Sequence, residues 1–306
     1  MTLACATCLK VGMGAVAYAD TVDLGYGMYG STSPAVKAVD VMHVPTDAKL
    51  RNNEQSQMLL AANKEVVNTF NANLKWYSSV PVNPIKGEVL DGFSYYQLQG
   101  TNEQGHHTGY LLVVDYPKSA IDQVIKIDKT VLEKGSDADK AKLKSSVSKH
   151  VDAYSKDTAQ QRLASLPGAT VEGEKLAKAV KAINDSIPSH INNTFDKLLA
   201  ADKKTSARDK EAISTFTGFM AKQLSVDATH VAYKPVQTRY GTAVTGDVRG
   251  ALGFDGFRNS FALIGYAIPT DKGLSVQFLY SDDSSYDYWT NELNHMYQTQ
   301  SLKGGK

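Results

Sequence analysis

Two histidines stand side by side in the stretch NEQGHHTGY, His106 and His107, with Glu103 close by. Imidazoles and a carboxylate are the groups that ligate a transition metal or move a proton. Neighbours on a strand point to opposite faces, so this pair could share one ion only at a hairpin tip. No H-x-x-x-H or H-E-x-x-H spacing supplies a further ligand, and a solvated turn accounts for the pair without metal. His43, His150, His190, His230 and His295 are isolated in the chain. A hydrolase can still gather its groups from distant positions, and His107 or His230 with Asp115 or Asp255 is the set this sequence offers.

Other motifs carry less. No G-x-S-x-G elbow and no Walker loop occurs. GYGMYG, residues 25–30, has the form G-x-G-x-x-G, but that motif grips a pyrophosphate only between a strand and a helix start. STSP follows it and delays any helix, so a flexible Gly/Tyr-rich segment is the expectation. Asp282, Asp283 and Asp287 could gather oxygen ligands for calcium, yet the EF-hand spacing and its central glycine are missing, and helix capping explains them. Cys5 and Cys8 form a C-x-x-C, without the strand before it and the helix after it that thioredoxin-type chemistry uses. The sequence thus offers no coherent catalytic set, no metal centre and no cofactor site.

Aromatic side chains are the remaining candidates. The chain has 16 Tyr against 2 Trp and 9 Phe. Tyr95, Tyr96, Tyr110 and Tyr116 fall on one hairpin, and Tyr286, Tyr288, Trp289 and Tyr297 on the last helix. Exposed aromatics on a rigid sheet offer large apolar area at low entropic cost, which suits sugar faces and peptides. Tyr95, Tyr110, Tyr116, Tyr288 and Trp289 are the candidate ligand-binding residues. Strand and helix periodicity requires part of the aromatic set to fill the core instead.

The elements that must position them alternate in runs. Residues 20–50 are rich in Gly, Ser and Pro and read as a flexible N-terminal segment, with Ser33-Pro34 as a short helix start. Leu59, Val66, Phe70 and Leu74 make a helical stripe over residues 53–77, ended by PVNPIKG. GFSYYQLQG and HTGYLLVVDY form a hairpin around TNEQGH, followed by a helix with Ile121, Val124 and Ile125 on one face. Residues 137–224 are helical in pattern, with stripes Leu143–Val147–Val151–Tyr154 and Leu176–Val180–Ile183–Ile187. Pro188 opens a new helix, and Ser206 caps a last one. Two strand-rich stretches, HVAYKPVQTRYGTAVTGDV and NSFALIGYAIPTDKGLSVQFLYS, precede a final helix. Runs of strands and runs of helices, rather than strict alternation, define an α+β protein. The expected build is antiparallel sheet from two hairpin-plus-helix units flanking a central helical block. The two hairpins share one sheet or make separate lobes. A domain over 51–306 then carries a helical insertion at about 137–224.

The start of the chain sets the compartment. Residues 1–19 are small and apolar with no acidic residue, and Ala17 and Ala19 place small side chains at −3 and −1 of a cut before Asp20. Lys10 interrupts the apolar run and nothing basic precedes it, so the fit to a signal peptide is partial; a lipid-anchored Cys5 fits less well, since Thr2 stands three residues before it. Cleavage near Ala19 removes both cysteines and gives a secreted, periplasmic or cell-envelope protein of bacterial type, free of thiols. Lys+Arg number 33 against Asp+Glu 32, which leaves no electrostatic footprint for nucleic acid. No later stretch approaches the ~20 apolar residues of a membrane span. The expected function is non-catalytic, binding an unidentified ligand or protein partner; the helical block could itself pack against such a partner.

Overall fold

The hairpin centred on residue 104 seeds the sheet. In the computed structural model, which describes residues 19–44, 90–121, 134–142, 154–299 and 301–302, its arms are β4 (Gly92–Asn102) and β5 (Gly105–Pro117), paired from Gly92↔Asp115 to Asn102↔Gly105. Gly105 takes φ +130°, a turn conformation that side-chain-bearing residues rarely adopt. Burial alternates along β4 from Gly92 to Thr101, with Tyr96 and Leu98 turned inward.

The remaining elements run in chain order. The strands are β1 (Thr21–Asp23), β2 (Met28–Ser31), β3 (Val36–Val44), β6 (Ala169–Thr170), β7 (Leu224–Thr238), β8 (Gly241–Phe254), β9 (Phe257–Pro269), β10 (Gly273–Ser281) and β11 (Ser301–Leu302). The helices are α1 (Lys118–Ile121), α2 (Lys156–Ala164), α3 (Gly173–Ala201), α4 (Ala207–Gln223) and α5 (Tyr286–Gln298), the last preceded by a 3₁₀ turn, Asp283–Ser285. Eight strands form one antiparallel sheet in the order β3-β4-β5-β10-β9-β8-β7-β6, and β1-β2-β11 form a second, three-stranded one. Mixed helix and antiparallel sheet agree with the α+β expectation. No described helix is long and apolar enough to cross a membrane.

The main core lies on one face of the large sheet. There α5 and the small sheet bury Trp289, Leu293, Met296 and Tyr297 against Leu24, Met28, Leu98, Leu111, Ile268 and Leu279. Gly109 and Gly100 make room for the helix: a Cβ at Gly109 would come within 2.9 Å of the Trp289 ring, and one at Gly100 would overlap Tyr288. On the opposite face a smaller cluster of Val114, Tyr116, Ala120 and Val276 packs at the α1 end only.

Two expectations are corrected. Residues 21–44, read as a flexible segment with a short helix at Ser33, form β1, β2 and β3. The reversal between β1 and β2 runs through three consecutive positive-φ residues, Gly25, Tyr26 and Gly27. The non-glycine among them is held from outside, its backbone N–H donating to Asp115 Oδ2 at 2.7 Å and its hydroxyl to Asp91 at 3.1 Å. β3 is a strand because its β-branched residues find a partner in β4, which local sequence does not reveal. Pro188 does not restart the chain either: α3 continues through it. Packing of α3 on α4 and β7 offsets the ~3 kcal/mol that a proline costs a helix interior. Ser206 does cap α4, accepting from the Asp209 N–H. The helix expected over 53–77, the residues after Ile121 in its stripe, and Leu143, Val147 and Val151 lie outside the described residues.

Candidate functional site

Four adjacent strands, β4, β5, β10 and β9, contribute to a row of aromatic rings on the sheet face opposite the main core. Tyr95 stands on β4 and Tyr110 on β5, their rings 6.3 Å apart and within 20° of parallel. Tyr280 on β10 is the direct register partner of Tyr110. Phe261 on β9 stacks on Tyr280 at 6.2 Å and 19°. Alternation produces this row: the neighbours Tyr96, Leu111 and Leu279 are buried, so the intervening positions must face away from the core. Three strand spacings give the row a span of about 14 Å. Tyr110 and Tyr280 are 36% and 38% exposed, Tyr95 is half-buried, and Phe261 is buried as a backing for Tyr280.

Toward the β4–β5 turn the same face continues in uncharged polar groups. Gln97 lies opposite Tyr110, Gln99 opposite Thr108, and Thr101 opposite His106. Gln99, Thr101, His106 and Thr108 are exposed. The Thr101 hydroxyl and His106 Nδ1 are 3.1 Å apart. On β3, Val39 and Lys37 extend the face opposite Gln97 and Gln99. Across these positions on β3, β4, β5 and β10, Lys37 is the one ammonium and there is no carboxylate.

The five candidate aromatics therefore separate. Tyr95 and Tyr110 come together on the open face. Tyr116 shares that face but is 4% exposed under α1, where it has packing neighbours and no access to a ligand. Tyr288 and Trp289 project from α5 into the opposite face, Trp289 fully buried and edge-on to Tyr288. The hairpin and the last helix thus meet at a closed core. Tyr280 and Phe261 went unread in the sequence, although the period-2 pattern of VQFLYS, with Leu279 inward, marks Tyr280 as outward.

The histidines do not meet the aspartates proposed for them. His107 and Asp115 share one strand eight residues apart, about 26 Å. His230 pairs instead with Asp247 at 2.8 Å on the neighbouring strand. Asp255 sits in the β8–β9 turn with φ 46°. His107 makes a different set: Nδ1 lies 2.9 Å from Ser285 Oγ and Nε2 2.9 Å from Asn102 Oδ1. Asn102 Oδ1 also accepts from the Gln104 N–H, which fixes it as the acceptor atom. Nε2 therefore carries the proton, and Nδ1 accepts from the Ser285 hydroxyl. A serine–histidine nucleophile pair uses the opposite tautomer, with Nε2 accepting from the serine, and here His107 and Ser285 are 7% and 5% exposed, with the Tyr288 ring covering the imidazole at 4.1 Å. The set locks the hairpin tip to the start of α5. Asp282 caps the 3₁₀ turn through the Ser284 N–H, and Asp283 holds Arg249 through two hydrogen bonds of 2.6 and 2.9 Å.

A second polar cluster lies beneath the β1–β2 turn. Asp115 is 3% exposed; burial first, with the nearby Asp23 and Asp91 charges adding, pushes its carboxyl up to about 6 against the Tyr26 N–H and the neighbouring Ser275 hydroxyl, which favour the charged form. Its Oδ1 accepts no hydrogen bond. Burial also raises the Tyr26 and Tyr297 hydroxyls and moves Tyr96 to about 12. Searches against protein-family models, curated proteins and solved structures find no match to this chain.

Proposed function

We propose that this chain acts by binding rather than by catalysis, outside the cytoplasm, with the row Tyr95–Tyr110–Tyr280 as its contact surface. The observation that carries the reading is the exposure of two register-paired tyrosines on a rigid eight-stranded sheet, where core packing gives no reason for large aromatic rings. A rigid strand framework holds the rings in place, so little entropy is lost when a ligand or protein partner covers them. A cut before Asp20 is compatible with the packing of that residue: its N–H donates to Thr32 Oγ1 at 2.9 Å and its carboxylate accepts from the Ala38 N–H at 2.7 Å. A cut there would leave an ammonium on Asp20 still able to donate to Thr32.

The test pairs two measurements on material produced in its native host. Intact mass of the extracellular or envelope fraction should correspond to a chain beginning at Asp20; a chain still carrying Met1 would remove the export reading. Capture of envelope components by the wild type and by the Tyr110→Ala/Tyr280→Ala variant should differ at least several-fold, and equal capture would remove the aromatic row as the contact surface.

A second reading places the contact on the helical block. Phe216 and Phe219 are 62% and 61% exposed along α4, beside Ile213. Replacing both phenylalanines with serine would then abolish partner capture with the tyrosine row intact.

A further inference from the structure

We infer that the aromatic row and its polar extension form a platform for a neutral polysaccharide, an inference that rests on the binding reading above. A pyranose presents a C–H face and a rim of hydroxyls. The near-parallel rings of Tyr95 and Tyr110, with Tyr280 beside Tyr110 in register, suit the first, and the amides of Gln97 and Gln99 with the hydroxyls of Thr101 and Thr108 suit the second. The charge pattern selects the class. Anionic glycans, phosphates and nucleic acids are held by arginine and lysine clusters, and among the described positions around the row only Lys37, at its edge on β3, carries such a charge. A peptide adding as a strand would use a sheet edge, whereas the row lies across β4, β5, β10 and β9, inside the eight-stranded order. The row also runs across the strands, so a chain-like ligand would meet one ring on each of β4, β5 and β10 over about 10 Å.

The experiment is a depletion assay with the purified chain against insoluble cellulose, chitin and a β-1,3-glucan, with a polyanionic pectate as the charged comparison, at 0.15 M and 1 M NaCl. The expected result is retention by at least one neutral polymer, unchanged in high salt because no ion pair carries it. Tyr110→Ala and Tyr280→Ala should each weaken it about tenfold. Tyr110→Phe keeps the ring and should keep most of the binding, and thermal unfolding of each variant separates lost contact from lost fold. Retention by pectate alone, retention abolished by salt, or neutral binding indifferent to both alanine variants would each overturn the inference. So would no retention on any polymer; if the Tyr110→Ala/Tyr280→Ala variant still lost its envelope ligand, the polysaccharide would fall while the binding reading stood. A double variant that changed nothing in either assay would remove both.

Discussion

Asp115→Asn should make this protein more stable at neutral pH. The carboxyl is buried beneath the Gly25–Gly27 turn, with one oxygen accepting from the Tyr26 N–H and the other accepting no hydrogen bond. Its pKa rises from 3.8 to about 6 on folding. A folded-state pKa above the unfolded value means that the native state holds the proton more tightly. The associated stability is therefore complete below pH 3.8, drains as pH rises and is gone above about 6. The rise corresponds to about 3 kcal/mol. Asparagine keeps the neutral form at every pH: its oxygen can still accept from Tyr26, and its NH₂ can point toward Ser275, whose hydroxyl proton is given to the Leu24 carbonyl at 2.9 Å. Urea unfolding of both proteins across pH 3.5 to 7.5 reads the effect as a difference. The variant should match the wild type within about 1 kcal/mol at the acid end and exceed it by up to about 3 kcal/mol at pH 7. A difference that stays flat with pH, or a variant less stable at pH 7 than at pH 4 relative to wild type, would refute the reasoning.

Two further outcomes test the packing. Gly109→Ala should cost about 1–3 kcal/mol in chemical unfolding, because its Cβ would press within 2.9 Å of the buried Trp289 ring. Ser285→Ala should leave polysaccharide and envelope binding unchanged and lower stability by about 1–3 kcal/mol, since it strands His107 Nδ1 without a donor in a buried site; loss of binding without loss of stability would mean that this serine does chemistry.

Legibility in the sequence followed the range of the signal. The β4–β5 hairpin and α5 were readable because alternation and helical stripes lie within a dozen residues. Trp289, Leu293, Met296 and Tyr297 do point inward as their spacing requires. β1 and β2 were not readable. Their glycines signal flexibility locally, and what fixes them is Asp115, Ser275 and Gln277, which are about 90 to 250 residues away. Pro188 misled for the same reason, since tertiary packing overrode a local breaker. The binding face was half legible: Tyr95 and Tyr110 stood out in the hairpin, but only strand order brings Tyr280 beside them. Tyr116 and Trp289 look alike in sequence and are separated by what covers them, α1 in one case and the main core in the other.

Leu24 carries a consequence for how such a chain matures. Its carbonyl is gripped by Ser275 and by the Gln277 amide, whose oxygen in turn takes the Tyr297 proton at 2.8 Å. A polypeptide leaving the ribosome thus cannot form this set of bonds until Ser275, Gln277 and Tyr297 have emerged, and a large loop-closure entropy must be met first. During synthesis β1 and β2 wait without these partners, and refolding from denaturant should be slow, its rate set by the meeting of these two distant segments.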